Sequence, residues 1–452
     1  MDYSKALKFL DSLVNYEQFP KATYDFDLES YKEFLKTIGS PEKRLKNVIL
    51  VAGTKGKGST CALIESALRA CGFKTGLYTS PHLLSVRERI KVSGRTIGEK
   101  SFARLVSKVA PVIKNFTGRP ITYFEALTAI AFLYFEGAVT DYTILEVGLG
   151  GRLDATNATD PDIAVITRIG FDHTEILGDT LPKIAAEKAG IIHDRSLVVS
   201  APQETDVMKI IKKKCGVTRS PLFLVEDEAA FEFQRVDTSG CFFLAKRPWG
   251  ERWFFIPLLG SHQITNALTT LVVLSHLNLE VSKPNILPKG RVFDRSNIAK
   301  GLARTQLHAR CEIIKKRPLI LLDTCHNSDS ALALKNVLEE VFRNWPVILI
   351  LGLSSDKPIK PVLETLLPRA RLTFLTQART PRAEPVKSLI RHARELGYNP
   401  TLTTTVKSAL KQAVAALKPE EILVITGSFF IAAESIAWLE SSKKTPTLRS
   451  KN

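Results

Sequence analysis

The sequence predicts an α/β protein: a large block on a parallel sheet with a glycine-rich phosphate loop, a small antiparallel meander, and a second α/β block. Three observations lead there. Asn47 to Ser59, NVILVAGTKGKGS, reads as an apolar strand, a turn with three glycines and the start of a helix. From Asn47 to about Ala201, short apolar runs alternate with stretches of helical period. After a segment whose period changes to two, the same alternation returns in the last third of the chain.

In order, NVILVAG, TGLYTS, DYTILEVG, DIAVITRI and SLVVSA are the first strands, most of them followed by Gly, Ser, Thr or Pro. SFARLVSKVAPVIKNF and YFEALTAIAFLYFEG carry apolar residues at a period of 3.6 and are helices. Such alternation implies a parallel sheet, with functional groups collected at the carboxyl ends of its strands. AFEFQRV, CFFLAKR and RWFFIPL, separated by DTSG and PWGE, form the meander between about Ala230 and Pro257. NALTTLVVLSHLNL returns to helix, and KPNILPKGRVFDRSN, rich in Pro, Gly and charge, is an insertion before a short helix. PLILLDT, VILILGLS, RLTFLTQ and EILVITGS are the strands of the second block, with helices such as SALALKNVLEEVFRN between them. The expected division is 1–303 for the large domain, 304–311 for the linker, 312–442 for the second domain and 443–452 for a disordered tail.

At 452 residues, 44% hydrophobic and 24% charged, the composition is that of a soluble globular chain. No apolar run approaches a membrane span, and the N-terminus lacks a signal-peptide core. The six cysteines are scattered without a C-x-x-C pair, which argues against a zinc site and a disulfide framework and for a reducing cytoplasm. The net charge of +17 fits either a nucleic-acid binder or a basic protein with a pocket for anionic small molecules. The basic residues are spread along the chain with no recognition-helix, zinc-finger or RNA-binding signature, so they read mainly as solvated faces.

The loop carries the strongest chemical signal. Backbone N–H groups at a helix N-terminus and a lysine between Gly56 and Gly58 are the means by which a chain holds a nucleotide's phosphates. The spacing is not that of a Walker loop: Val51 stands where its first glycine would, and Gly58 follows Lys57. Glu146 ends the strand DYTILEV, where a buried carboxylate near a phosphate loop is a natural Mg²⁺ ligand. Ser80, ending TGLYTS, can add an oxygen, and His173 follows DIAVITRI. Singly, Glu146 reads equally as a helix cap and His173 as a turn residue. Their placement after three strands of one sheet favours a shared site.

These residues belong to a longer set: GTKGKGS, LYTSPHL, the arginines of VRERI, ITYFEALTAIAF, LEVGLGGRLDATN, DHTEILG, EKAGII, GSHQITNA, HARCEI, DTCHN and VITGSF. In this order, over almost the whole chain, the set resembles folylpolyglutamate synthase and dihydrofolate synthase, Mur-ligase-like ATP-dependent amide ligases. The resemblance implies a large P-loop ATPase domain, a smaller Rossmann-like α/β domain, and an active site in the cleft between them. ATP would phosphorylate a carboxylate of dihydropteroate or a reduced folate, and the amine of L-glutamate would attack the acyl phosphate.

Carried over residue by residue, the resemblance implies that Gly56, Lys57, Gly58 and Ser59 hold the phosphates and that Asn266, Arg310 and Asp323 complete the ATP site. It assigns Mg²⁺ to Ser80, Glu146 and His173, with Glu146 bridging two ions. Lys188 matches a lysine that is carbamylated in this family, although by itself it reads as a helix-surface lysine. His326 and Ser428 match positions that hold glutamate, which with Lys57 and Lys188 makes His326 the third catalytic candidate. Thr122, Tyr123, Phe124, Glu125, Leu153, Asp154 and Ala155 match the pterin pocket, and Asp25 joins them on a weaker pattern. Either Tyr123 or Phe124 can stack on a pterin, and at least one is expected to serve only the apolar face of its helix.

The chain departs from the family at Lys55, usually Asn, at Thr324, Cys325 and Ser328 within DTCHNS, usually D-G-A-H-N-P, and at His308-Ala309-Arg310, usually P-G-R. The expectation is a bifunctional, monomeric, cytoplasmic ligase using ATP and Mg²⁺, with no nucleic-acid or membrane partner. A synthase restricted to folylpolyglutamates, a non-catalytic homologue and an ATP-switched nucleic-acid binder are the alternatives.

Overall fold

The computed structural model describes residues 1–17, 26–281 and 293–443. Asp25, most of the KPNILPKGRVFDRSN insertion and the tail from residue 444 lie outside the described residues.

The first strand, β1 (Val48–Ala52), is buried along its whole length, as an all-apolar run must be in a sheet covered on both faces. It sits inside an eight-stranded sheet with β2 (Thr75–Tyr78), β3 (Ile90–Val92), β4 (Arg95–Thr96), β5 (Tyr142–Glu146), β6 (Ile163–Ile166), β7 (Leu197–Ser200) and β8 (Leu222–Leu224), in the order β4-β3-β2-β5-β1-β6-β7-β8. From β2 to β8 the neighbours are parallel; β3 and β4 add an antiparallel hairpin at one edge. The chain leaves β1 toward the β2 edge and later runs from β5 across β1 toward β8. The carboxyl ends of β5, β1 and β6 therefore flank a reversal of winding, where open α/β sheets form their crevice.

The meander is a separate three-stranded antiparallel sheet, β9 (Ala230–Asp237), β10 (Gly240–Arg247) and β11 (Arg252–Ile256), in the order β11-β10-β9. Alternate residues Cys241, Phe243 and Ala245 of β10 face the core that also contains the helix Lys57–Ala70. The short helix Arg295–Leu302 packs so closely on that helix that a Cβ at Gly301 would lie 2.5 Å from the Ala67 backbone.

A six-stranded sheet follows: β12 (Glu312–Lys316), β13 (Leu319–Leu322), β14 (Val347–Leu351), β15 (Ala370–Leu375), β16 (Thr401–Leu402) and β17 (Ile422–Thr426), in the order β12-β13-β17-β14-β15-β16. All neighbours are parallel except β12, which pairs antiparallel with β13. The edge strands β12 and β16 and the β3–β4 hairpin escape the sequence reading because they are short or polar and lack the apolar run that marks the central strands.

The helix Tyr123–Ala138 is apolar nearly all round and buried, so amphipathy does not set its start. Its N-cap does. Thr122 accepts the Glu125 N–H, while the Glu125 carboxylate takes both the N–H and the hydroxyl of Thr122 at 2.9 Å. Arg119, itself mostly buried, holds that carboxylate at 3.1 Å. Thr122→Ala is expected to cost about 1 kcal/mol. Glu125→Ala is expected to cost on the order of 3 kcal/mol, because it strands the Arg119 cation in a poorly solvated place. Thermal melts of the two variants check this order, and a larger loss for Thr122→Ala would contradict it.

Candidate active site

The loop after β1 takes its shape from two glycines. Gly53 has φ 147°, and a Cβ there would meet the Thr167 hydroxyl at 1.9 Å. Gly56 has φ 89°, and a Cβ would fall 2.3 Å from Oδ1 of Asn266. The N–H groups of Thr54 and Lys55 are spent on the Arg168 carbonyl, at 2.9 and 3.1 Å. The helix Lys57–Ala70 then starts with Gly56 as its N-cap and no capping side chain. Its first-turn N–H groups lack intrahelical acceptors and face an open cleft. An uncapped helix start over a cavity is a ready anion site.

That cleft encloses about 1360 Å³ and is lined from both large sheets. It brings together the candidates Gly56 to Ser59, Ser80, Thr122 to Glu125, Glu146, Leu153 to Ala155, His173, Asn266, Arg310, Asp323, His326 and Ser428. Lys188 stands behind it, buried, and its Nζ donates to the Gly53 carbonyl at 2.9 Å. The Lys57 Nζ donates to the same oxygen at 3.1 Å. Burial, then the nearby Lys57 cation, pushes the Lys188 amine down to about 7. The helix-surface reading of Lys188 is thus replaced by a buried amine under the loop.

Glu146 ends β5 with both flanks buried and accepts the Ser80 N–H at 3.0 Å. Burial pushes its carboxyl up against the pull of Lys57. A Cβ on Gly58 would sit 3.4 Å from its Oε1, so the carboxylate lies against the first turn of the loop helix. His173 caps a short helix in the left-handed region, φ 50°; its side chain is 39% exposed at the cleft, and crowding by the protein around it, then the Lys357 charge, lower its imidazole. Ser80, Glu146 and His173 all line this cleft, and an imidazole, a carboxylate and a hydroxyl are donor types that a hard divalent cation accepts alongside waters or phosphate oxygens. Among the described residues no cluster of three His, Cys, Asp or Glu side chains forms an all-protein metal cage.

On the second sheet, His326 follows β13, and its Nδ1 lies 2.9 Å from the Thr324 carbonyl. A carbonyl only accepts, so Nδ1 carries the proton and Nε2 keeps its lone pair. Burial and the Lys357 charge lower this imidazole to about 3. Arg310 donates to the Thr324 hydroxyl at 2.7 Å and lies 5.1 Å from the centre of the Phe429 ring. Ser428 accepts the Ile431 N–H at 3.2 Å.

Three candidate carboxylates are already engaged within the fold. Glu125 is the capping residue described above. Asp154 accepts the N–H groups of Gly148 and Leu149 and both donors of Thr156, which shapes the GLGGRLD turn. Asp323 accepts the N–H groups of Cys311 at 2.9 Å and Cys325 at 2.7 Å, pinning the start of the second sheet. Of the two aromatics, Tyr123 is buried beneath the Arg89 guanidinium, 5.8 Å away, and Phe124 is partly exposed against Gly148.

The sequence reading missed the ion pairs that cross the cleft. Arg89, fully buried, grips Glu17 bidentately at 2.8 and 2.6 Å, and Arg382 of the second block donates to the Glu17 carbonyl. Arg382 also holds Asp356 through two 2.9 Å bonds. Lys357 reaches Asp172 at 3.4 Å. Of these residues, Arg89 had a signal as one of the arginines of VRERI and Asp172 as the residue before His173.

Residues 51–274 match the Mur ligase middle domain and residues 309–429 the Mur ligase glutamate ligase domain. The chain is 31% identical over 411 residues to the dihydrofolate synthase/folylpolyglutamate synthase of Bacillus subtilis, covering 89% of this chain and 92% of that one. It is 30% identical over 436 residues to the Escherichia coli protein of the same name, with 96% of each covered. Among solved structures, Mycobacterium tuberculosis folylpolyglutamate synthase complexed with ADP superposes with a TM-score of 0.86 at 26% identity, over 97% of this chain and 98% of that one. E. coli FolC in complex with DHPP and ADP gives 0.84 at 28% identity, over 98% and 99%.

The buried amine sets a pH expectation. Between about 7 and 10.5 the unfolded lysine is protonated while folded Lys188 is neutral, so the unfolded chain binds more protons and stability rises with pH across that window. In degassed buffer free of CO₂, Lys188→Met should flatten this rise in a series of thermal melts. An identical pH slope in both proteins would show that Lys188 titrates as an ordinary lysine.

Proposed function

The chain belongs to the dihydrofolate synthase/folylpolyglutamate synthase family of Mur ligases, and on that premise we propose how its cleft joins L-glutamate to dihydropteroate and to reduced folates at the expense of ATP. The observation that carries the reading is the uncapped helix start at Gly56, facing Glu146 across a cleft that both sheets line.

The working division is a large unit, 1–303, that binds nucleotide and pterin and a second unit, 312–442, that brings glutamate, joined by 304–311. The N–H groups of Gly56 to Ser59 and the Lys57 ammonium take the phosphates, with Asn266, Arg310 and Asp323 toward the rest of the nucleotide. Ser80, Glu146 and His173 would hold Mg²⁺, which neutralises phosphate charge when bound. The pterin lies against Phe124 and Leu153, with Tyr123 and Ala155 behind them and the Thr122–Glu125 and Asp154 hydrogen bonds fixing the wall.

A substrate carboxylate oxygen attacks the γ-phosphorus, ADP leaves, and an acyl phosphate remains. The glutamate amine then attacks the acyl carbon and inorganic phosphate departs, leaving the amide. Catalysis is positioning and charge stabilisation, with no enzyme nucleophile. The Nε2 lone pair of His326 can accept a hydrogen bond from the glutamate amine, orienting its nitrogen, and Ser428 lies beside it on the cleft wall. The Lys188 amine, lowered to about 7, has a large neutral fraction near pH 7 that can add CO₂ and release a proton; the resulting carbamate would place an anion beside Lys57 and the proposed metal residues. We take the enzyme as a cytoplasmic monomer working on small molecules without nucleic acid; six free, buried cysteines suit a reducing compartment.

Steady-state phosphate release with Mg·ATP and glutamate should proceed with dihydropteroate and with tetrahydrofolate. Turnover with tetrahydrofolate alone would select the restricted synthase, and turnover with neither would overturn the proposal. Glu146→Gln should lower kcat at least ~10²-fold, in the range of losing one oriented electrostatic group. An unchanged rate would refute the metal assignment.

A further inference from the structure

Lys55 is the residue of the loop that the nucleotide reading leaves without a task. Its first contact is not the phosphate space. The Nζ lies 3.4 Å from Oδ2 of Asp172, the residue immediately before His173. Asp172 is the centre of a small electrostatic knot. Oδ2 also accepts from the Asn327 amide at 3.0 Å, and Oδ1 faces the Lys357 ammonium at 3.4 Å. Oδ1 further accepts the backbone N–H of His173 at 3.1 Å. Although burial opposes its ionisation, Lys55 and then Lys357 hold the Asp172 carboxyl far below the usual range.

These donors come from two sides. Asn327 caps the helix Ser328–Val341 after β13, and Lys357 follows β14, so both belong to the second sheet. Lys55 and the His173 backbone belong to the first, at the ends of β1 and β6. His173 is held at a positive φ of 50°, which costs a non-glycine residue roughly 1–2 kcal/mol and persists only where neighbours enforce it. The Asp172 carboxylate is the neighbour that does so here. Its grip from across the cleft exists only while the second sheet is seated against the first. Lys55 supplies a grip from within the first sheet's own loops.

We infer that Lys55 is a positioning residue for His173: by holding Asp172 from the phosphate-loop side, it sets the His173 segment for the divalent cation without help from the second domain. The inference rests on the proposed reading of His173 as a metal residue. A neutral side chain at position 55 removes the ion pair and leaves the segment dependent on Asn327 and Lys357. A phosphate-directed role for Lys55 is the rival, and it predicts a different pattern.

The test is calorimetric titration of the full-length protein with a non-hydrolysable ATP analogue, with and without Mg²⁺, in the absence of folate and glutamate. Lys55→Met should weaken the Mg²⁺-dependent affinity by about tenfold, in the range for residues that orient a metal ligand. Mg²⁺-free affinity should be unchanged, and Lys55→Arg should restore most of the loss. Asp172→Asn should weaken binding similarly, and the double variant should be no worse than Asp172→Asn alone. Wild-type affinity in Lys55→Met, equal weakening with and without Mg²⁺, or multiplying effects in the double variant would each overturn the inference. His173→Ala separates the two readings. If it retains Mg²⁺-dependent binding, the metal reading itself fails; if it loses that binding while Lys55→Met does not, only the role of Lys55 fails.

Discussion

Two ammonium groups, those of Lys57 and Lys188, converge on the single carbonyl oxygen of Gly53, and the chemistry of the cleft follows from that crowding. A carbonyl is a partial charge, and among the described residues neither lysine gains a carboxylate within ion-pair distance. The charge is left for something else to neutralise. For Lys57 the complement we propose is a phosphate at the uncapped helix start. For the more deeply buried Lys188 the lower-energy course is to lose its proton, and the pKa near 7 expresses that. Gly53 must present its carbonyl to both amines while its Cα passes the Thr167 hydroxyl, which no side chain permits. The glycine, the two lysines and the buried Glu146 near the loop helix are therefore one electrostatic arrangement.

What the sequence made legible follows a physical division. Central strands are continuous apolar runs, and a loop of glycines with an embedded lysine has few structural uses, so β1, β5, β6 and the phosphate loop were readable from the residues alone. Carboxylates were harder. Glu125, Asp154 and Asp323 stand where a ligand contact was expected, yet each has its oxygens on backbone N–H groups or a neighbouring arginine. A helix cap, a turn organiser and a ligand all ask for an acidic residue next to an element's end, and periodicity does not distinguish them. The contacts across the cleft were out of reach for a different reason. Glu17 and Arg382, or Asp172 and Lys357, are joined only by the packing of two sheets, and no local pattern announces a pair separated by 365 or 185 residues.

The cleft contacts also alternate in sign from the Tyr123 end to the end at the glycine-rich loop. Arg89, Glu17, Arg382, Asp356, Lys357, Asp172 and Lys55 form a chain of opposite neighbours, with the middle three on the second sheet and the rest on the first. Such a row matches the two surfaces in one register, because a shift would set like charges face to face. Its members are largely sheltered from water, so salt screens them less than exposed pairs. Seating of the second sheet thereby touches both ends of the cleft at once: the Arg89 that covers Tyr123, and the Asp172 that shapes His173.

The departures from the family pattern are best judged by what their backbones do. His326 is oriented by the carbonyl of Thr324, which any residue at that position supplies. The Thr324 hydroxyl adds a function of its own, accepting from Arg310 and donating to the Ala309 carbonyl at 3.2 Å, so it ties the linker to the end of β13. Cys325 is buried with the Thr426 hydroxyl against its sulfur, as a small apolar residue would be. Ser328 simply begins the helix that Asn327 caps. Ala309 is the costly one: it occupies φ 54°, where glycine is free and alanine is strained by roughly 1–2 kcal/mol. Two interactions offset that strain: its methyl is fully buried in the core beneath the second sheet, and its N–H is held by Glu312 at 2.8 Å. The substitutions thus preserve the placement of Arg310 and His326 by other means, and they give no physical reason to regard the glutamate side of the cleft as inactive.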